Sequence, residues 1–213
     1  MNERTIRNLF VLLICCVPTF LSGCYKNDTI LSIGTITQQP PVVSTVIVPQ
    51  QQPAVALYPR EWIPDTYDHR WSAIIIHHSA TTKGNMAMID EHHRRGNGWI
   101  GIGYDFVIGN GSYSVDGQVE VTFRWREQRT GAHTGTSDNW ANEDGIGICL
   151  VGDFNQSYPS EAQMQSLARL VKFLQARYKI PASRIFGHGN TPGGHATDCP
   201  GRNFSMWRIK SML

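Results

Sequence analysis

The segment Ala73–His77 reads AIIIH, an apolar run of β-branched residues that ends in a histidine. A short, continuously apolar run of this kind is typical of a strand that is buried on both faces. Further strands are predicted at Tyr104–Ile108, Gln118–Phe123, Ile146–Val151 and Arg184–Phe186. The sequence therefore predicts a β-sheet, with Ile146–Val151 as a central, buried strand.

Two helices are predicted between these strands. The first spans Asn85–Arg95, with Asn85 as its N-cap. The second begins at Ser160, where Gln163 completes a capping box. Its apolar residues recur at the spacing of one helical face, at Met164, Leu167, Val171, Leu174 and Tyr178. Because strands and helices interleave along the chain, the expected class is α/β or α+β with a mixed sheet.

The N-terminal residues have the pattern of an export signal. Arg4 and Arg7 precede an apolar stretch at 9–17, which is too short to span a bilayer, since spanning takes about 20 residues. Cys24 follows two small residues and resembles the lipobox of bacterial lipoproteins. That resemblance implies cleavage before Cys24 and attachment of diacylglycerol to its sulfur. The alternative is an ordinary signal peptide followed by a chance cysteine.

Three segments are therefore predicted along the chain. They are a lipoprotein signal peptide at 1–23, a lipidated Cys24 with a flexible Pro- and Gln-rich tether at 24–60, and a single folded domain at 61–213. The expected location is the cell envelope, through a lipid anchor. Tyr25 is not the acidic residue that resembles an inner-membrane retention signal. In a host with two membranes, the outer membrane facing the periplasm is therefore expected.

Composition limits the classes of partner. Charged residues make up 17% of the 213 residues, and the formal net charge is only +2. Nucleic-acid binding requires a basic face, which this charge balance does not suggest, so no nucleic-acid partner is expected. A weakly basic pI near 8.3 is compatible with an anionic polymer as partner but does not predict one. A monomer is expected.

Two histidines and a cysteine stand at the ends of separate elements. His77 ends the first strand, His188 follows the last, and Cys199 lies in the segment Asp198–Gly201, DCPG. Two imidazoles and one thiolate can hold zinc and leave its fourth position open, which is the arrangement of a catalytic zinc. Strand alternation places His77 and His78 on opposite faces, so only one of them points at the metal.

Two alternatives compete with this set of ligands. Once the signal is removed and Cys24 is lipidated, Cys149 and Cys199 remain, and in an oxidising compartment they could pair as a disulfide. His195, four residues before Cys199, is a rival for the second ligand. His188 is favoured because it follows a rigid strand, whereas His195 lies in a Gly-rich loop.

Six short motifs, in order, resemble one family: residues 77–81 (HHSAT), 101–108 (GIGYDFVI), 131–134 (GAHT), 146–152 (IGICLVG), 187–188 (GH) and 197–201 (TDCPG). From about Trp71 onward the chain resembles the zinc-dependent N-acetylmuramoyl-L-alanine amidases, the type shared by phage lysozyme-like amidases and peptidoglycan recognition proteins. The resemblance implies an α/β fold with a central mixed β-sheet flanked by helices, in a single amidase domain. The family's zinc ligands correspond to His77, His188 and Cys199.

The resemblance also implies roles for four other residues. Tyr104 and Thr197 correspond to catalytic positions, and either hydroxyl is expected to stabilise the oxyanion of the tetrahedral intermediate. His133 and Asn142 correspond to positions that line the substrate groove. His133 is also the expected titratable helper, because histidine changes charge near neutrality. The alternative is a structural or sugar-contacting histidine.

The implied reaction is hydrolysis of the amide bond between N-acetylmuramic acid and L-alanine by a zinc-activated water. The expected partners are peptidoglycan or muropeptides, together with the membrane that holds the lipid anchor. A non-catalytic peptidoglycan-binding module is the alternative, but the presence of all three ligand types and Tyr104 favours the enzyme. A zinc peptidase is less consistent, because the chain has no HExxH segment to supply a carboxylate base.

Overall fold

The computed structural model describes residues 57–213. The predicted signal peptide at 1–23, the lipidated Cys24 and the tether up to residue 56 lie outside the described residues. Within 57–213, no helix is long and apolar enough to cross a membrane.

Within the described residues, five strands form one mixed sheet: β1 (Ala73–His78), β2 (Phe106–Ile108), β3 (Val119–Val121), β4 (Gly145–Leu150) and β5 (Ile185–Gly187). Their order across the sheet is β3-β2-β4-β1-β5. Strand β1 lies parallel to both β4 and β5, β2 lies parallel to β4, and only β3 runs antiparallel to its neighbour. Every residue of β1 and β4 is buried, as their apolar sequences predict for strands in the middle of a sheet.

Helices cover the two faces of the sheet. The longest, α4 (Glu161–Tyr178), packs with Ile74, Ile76 and Ile146 in the main hydrophobic core. On the other face, α1 (Met86–Asn97) contributes Met86 and Ile89 to a smaller cluster around Val107. The described residues also form three short α-helices, α2 (Phe123–Arg126), α3 (Trp140–Glu143) and α5 (Met206–Ser211), and 3₁₀ turns at Arg60–Trp62 and Ala182–Arg184. The predicted mixed sheet flanked by helices is thus confirmed.

Both predicted helix starts are confirmed by their caps. The Asn85 side chain accepts a hydrogen bond from the Met88 N–H at 2.9 Å, and α1 ends at Gly98, whose φ is +67°. At the start of α4, the Ser160 hydroxyl accepts from the Gln163 N–H, and the Gln163 side chain accepts from the Ser160 N–H, at 3.0 and 3.1 Å. This is the reciprocal capping box that the sequence predicts.

Some predicted strands are longer than the observed ones. The strand predicted at Gln118–Phe123 stops at Val121, because the Thr122 hydroxyl accepts from the Arg124 N–H and caps α2 instead. The last strand begins at Ile185 and ends at Gly187, and His188 follows it as the first residue of a 3₁₀ turn spanning His188–Asn190. This turn starts the loop that carries the chain towards Cys199.

Candidate metal centre and active site

The sheet brings His77 and His188 to the same edge. Strands β1 and β5 are parallel neighbours with Ile76 opposite Gly187, and the residue that follows each of these two in the chain is one of the two histidines. Their rings lie 4.7 Å apart between centroids. Cys199 reaches this edge from a loop, held by a 2.7 Å hydrogen bond from the Gly189 N–H to the Cys199 carbonyl oxygen.

The donor atoms of His77, His188 and Cys199 lie within 4.8 Å of one another. The Cys199 Sγ is 3.7 Å from the His77 Nδ1. A nitrogen and a sulfur bound to one tetrahedral zinc ion lie about 3.6 Å apart, from Zn–N and Zn–S bonds of about 2.1 and 2.3 Å. Two imidazoles and one sulfur at this spacing fit zinc, and three protein ligands leave one coordination position for water or substrate.

Burial sets the protonation of these groups in the absence of a cation. Desolvation, followed by the neighbouring His133, lowers the pKa of His77 well below its usual value, so its imidazole is neutral. Burial raises the pKa of the Cys199 thiol to about 12, although the His78 N–H, 3.4 Å from Sγ, favours the thiolate. A cation bound at this position would favour the thiolate of Cys199 near neutral pH.

The neighbouring histidines are separated from this cluster. The His78 side chain points to the other face of the sheet, where its Nδ1 accepts from the Phe154 N–H at 3.1 Å. His195 is exposed and does not belong to the three-residue cluster. Its charge contributes, after burial, to a lowered pKa of His188. The geometry therefore favours His188 over His195 as the second ligand.

Tyr104 stands beside the cluster, with its ring 5.0 Å from that of His77. Burial raises the pKa of its hydroxyl well above the usual value, and the neighbouring Cys149 and Cys199 add to the effect. The hydroxyl therefore stays protonated and able to donate a hydrogen bond. Tyr104 also lines a cavity of about 270 Å³ with Ser79, Thr81, Lys83, Gly84, Met88, Ile89, His92 and His93.

A family profile described as N-acetylmuramoyl-L-alanine amidase matches residues 67–202. The chain belongs to this amidase family. It is 32% identical to peptidoglycan-recognition protein SC2 of Drosophila melanogaster over 141 residues, which cover 62% of this chain and 69% of that protein. It is 29% identical to the N-acetylmuramoyl-L-alanine amidase of Homo sapiens over 119 residues, which cover 55% of this chain and 18% of the human protein.

Solved structures agree with this membership. The N-acetylmuramoyl-L-alanine amidase LysC of Clostridium intestinale is 31% identical, with a TM-score of 0.57 over 70% of this chain and 89% of that one. Bumblebee PGRP-SA, at 24% identity and a TM-score of 0.54 over 71% of this chain and 91% of that one, shares the fold. The amidase-family domain is therefore common to enzymes and to proteins named for peptidoglycan recognition.

His133 is a buried histidine that contacts the candidate ligand His77. Its ring is buried, and the His133 Nδ1 is 3.1 Å from the His77 Nε2. Burial lowers the pKa of His133 to about 4, so the imidazole stays neutral near pH 7. The lowered pKa does not favour titration of His133 near neutrality, so its role as a titratable helper stays a prediction, and the alternative of a structural histidine agrees with these contacts.

Asn142 holds the segment that carries His133. Its Oδ1 accepts from the backbone N–H groups of His133 and Thr134, both at 2.8 Å. Asn142 and His133 also line a second cavity of about 270 Å³, together with Trp99, Ala132, Thr134 and Gly135. Contact of Asn142 and His133 with substrate stays a prediction.

Thr197 is exposed beside the metal centre, and its hydroxyl oxygen accepts from the Cys199 N–H at 3.2 Å. The hydroxyl hydrogen remains available to a group in the cleft. Its catalytic role stays a prediction.

The alternative Cys149–Cys199 disulfide is wrong, because both cysteines are free. Cys149 is buried in β4, opposite His77 in the β1–β4 register.

His93 lies in the candidate site, although none of the sequence motifs includes it. It lies on the buried face of α1, its Nδ1 accepts from the Gly103 N–H at 3.0 Å, and its ring is 5.5 Å from that of Tyr104. It therefore supports the loop that positions the tyrosine and lines the adjoining cavity. Helical spacing was the available signal, since His93 shares a face with Met86 and Ile89.

Proposed function

We propose that this protein hydrolyses the amide bond between N-acetylmuramic acid and L-alanine, in peptidoglycan or its fragments, with a zinc ion held by His77, His188 and Cys199. The observation that carries the proposal is the cluster of three donor atoms within 4.8 Å, beside Tyr104, in a domain of the amidase family. When bound, zinc supplies a water whose pKa falls to about 7 and a Lewis acid for the carbonyl oxygen.

The protein's own groups complete this chemistry. Neutral imidazoles at His77 and His188 offer bare nitrogens without first losing a proton. The Tyr104 hydroxyl, which stays protonated, donates a hydrogen bond to the scissile carbonyl oxygen as negative charge develops on it. The Thr197 hydroxyl is a second donor, because its oxygen accepts from the Cys199 N–H and its hydrogen is left for the substrate.

The experiment is product analysis by mass spectrometry after incubation of the purified protein with peptidoglycan. Free stem peptides that begin with L-alanine, lost with a chelator and restored by zinc, are expected. Cys199→Ser is expected to abolish them, whereas His195→Gln, a change of the exposed histidine in the same loop, is expected to keep them. Intact stems with retained binding would establish a recognition module instead, and stems cut internally would establish a peptidase.

We also propose that Cys24 carries a lipid and that the tether at 24–60 links the domain to a membrane of the cell envelope. The support is the sequence of 1–24, where a short apolar stretch is followed by two small residues and a cysteine. Metabolic labelling with an alkyne fatty acid is expected to mark the wild-type protein and to leave Cys24→Ser unmarked. Equal labelling of both proteins would refute lipidation at this residue.

A further inference from the structure

The ring of His133 makes contacts that determine where its hydrogen lies. Its Nε2 is 3.2 Å from the Gly145 carbonyl oxygen, which can only accept, so Nε2 carries a hydrogen. The other groups at hydrogen-bond distance from the ring are the His77 imidazole and the Thr134 hydroxyl, neither of which carries a negative charge. With no anion to stabilise an imidazolium, the buried ring is neutral, and its Nδ1 is a bare acceptor.

This bare nitrogen fixes the hydrogen of the neighbouring ligand. The His133 Nδ1 is 3.1 Å from the His77 Nε2, so the His77 Nε2 donates to it. A second route leads through the Thr134 hydroxyl, which is 3.3 Å from the His77 Nε2 and 3.0 Å from the His133 Nδ1. In this route, the Thr134 hydroxyl donates its one hydrogen to the bare His133 Nδ1, and its oxygen accepts from the His77 Nε2. The His77 Nε2 therefore carries the hydrogen in both routes, and the lone pair is left on Nδ1, which is 3.7 Å from the Cys199 Sγ.

We infer that His133 is a positioning residue, which sets the tautomer and the ring orientation of His77 so that Nδ1 is presented to the metal. The inference rests on the zinc site of the proposed function. It assigns His133 a task that differs from substrate contact and from proton transfer, because the ring acts only through His77. Partners of this kind typically change metal affinity by about 10- to 100-fold when they are removed.

Two glycines leave the space that the His133 ring occupies. A Cβ added to Gly131 would lie 2.4 Å from the His133 Cδ2, and one added to Gly147 would lie 2.5 Å from the same atom. Both glycines therefore admit the imidazole between the GAHT segment and strand β4. The Asn142 side chain fixes the backbone of the same segment through two hydrogen bonds of 2.8 Å. The orientation of His133 is thus determined by contacts outside the metal site.

Two variants separate the acceptor of His133 from its bulk. In His133→Asn, the side-chain oxygen is placed near the position of Nδ1 and still accepts from His77. In His133→Gln, the polar end reaches towards the Gly145 carbonyl, and a methylene group replaces the acceptor. His69→Gln is the matched control, because the His69 Nε2 also lies 2.8 Å from a backbone carbonyl, that of Glu143, away from the metal centre.

Zinc affinity, measured by competition with a chromophoric chelator, is expected to fall about 10- to 100-fold in His133→Gln. It is expected to change much less in His133→Asn and not at all in His69→Gln. ¹⁵N NMR of the histidine rings is expected to show the Nε2–H tautomer of His77 in the wild-type protein, with or without zinc, and a mixture in His133→Gln. Retained affinity and an unchanged tautomer in His133→Gln would overturn the inference, as would equal losses in both His133 variants.

The two readouts also separate this inference from the proposed function. If the wild-type protein binds no zinc but His77 is the Nε2–H tautomer, the zinc assignment fails and the role of His133 stands. If the wild-type protein binds zinc and His77 has the Nδ1–H tautomer in the metal-free protein, the role of His133 fails and the zinc assignment stands.

Discussion

A carboxylic acid is buried beneath the site and has no counterion in hydrogen-bond contact. Asp105 is fully buried, its Oδ2 accepts from the Gly147 N–H at 2.8 Å, and its Oδ1 has no partner. The nearby Arg124 directs its guanidinium to the carbonyl oxygens of Ile102 and Thr130 instead. Desolvation outweighs both the Gly147 hydrogen bond and the charge of Arg124, and it raises the pKa of Asp105 from 3.8 to about 7.

The stability of the fold should therefore respond to the protonation of Asp105. Between its ordinary pKa of 3.8 and about 7, the unfolded chain has released this proton and the folded protein has kept it. Stability then falls as pH rises, by about 1.4 kcal/mol per pH unit, and the contribution levels off above pH 7. Across the whole interval this carboxyl lowers the free energy of unfolding by about 4 kcal/mol.

Asp105→Asn keeps the shape of the side chain and removes the titration. Relative to the wild type, its free energy of unfolding is expected to rise by about 4 kcal/mol between pH 4 and pH 8. Urea denaturation followed by circular dichroism at several pH values measures this, and taking the difference cancels the opposite slope from buried histidines such as His77. Asp138→Asn, at an exposed carboxylate, is the control. A difference between Asp105→Asn and wild type that stays constant from pH 4 to pH 8 would refute the reasoning.

Three further outcomes are expected at the candidate site. Cys199→Ser should weaken zinc binding by more than about 100-fold, beyond what loss of a supporting residue causes, whereas His195→Gln should leave it unchanged in a chelator competition. Tyr104→Phe should lower kcat by about 10²- to 10³-fold, as loss of one oxyanion donor does, with unchanged zinc affinity; equal kcat values would remove Tyr104 from the reaction. Gly147→Ala should lower the free energy of unfolding by about 1–3 kcal/mol and weaken zinc binding, because its Cβ meets the His133 ring at 2.5 Å; zinc affinity equal to wild type would show that the ring tolerates the displacement.

Local patterns predicted the parts of the fold that depend on neighbouring residues. The apolar runs of β1 and β4 are buried strands, and Ser160 with Gln163 forms the capping box. The end of β3 could not be placed in this way, because Thr122 is compatible with a strand as well as with a helix cap. There a single side-chain hydrogen bond to Arg124 decides between the two structures.

The candidate site was predictable as a set of residue types but not as a set of contacts. Parallel strands meet at one edge, which is why His77 and His188 come together. The contact between His77 and His133 joins residues separated by 56 positions, and no local pattern indicates it. The same holds for protonation, since the low pKa of His133 follows from burial, which the sequence of the GAHT segment does not reveal.

His188 and His195 both precede Cys199 closely in the sequence, so spacing alone does not select the second ligand. The backbone contacts of the loop show why. Cys199 is held by groups near it in space, since the Gly189 N–H donates to its carbonyl and the His78 N–H to its Sγ. A Cβ on Gly189 would lie 2.3 Å from the Thr197 carbonyl oxygen, so this glycine lets the returning chain pass close to the 3₁₀ turn.

The residues between these anchors contact another part of the domain. Gly194 bridges to Thr136, and the Pro192 carbonyl oxygen accepts from the Trp140 indole at 3.1 Å. The loop therefore contacts α3 and the segment before it. Its two ends, at His188 and Cys199, are held at the carboxyl ends of strands β1 and β5. Because the free energy of closing a loop changes only slowly with its length, a few residues can be added here without moving either ligand. The two anchored ends of the loop carry the candidate ligands His188 and Cys199, whereas His195 lies on the part between them.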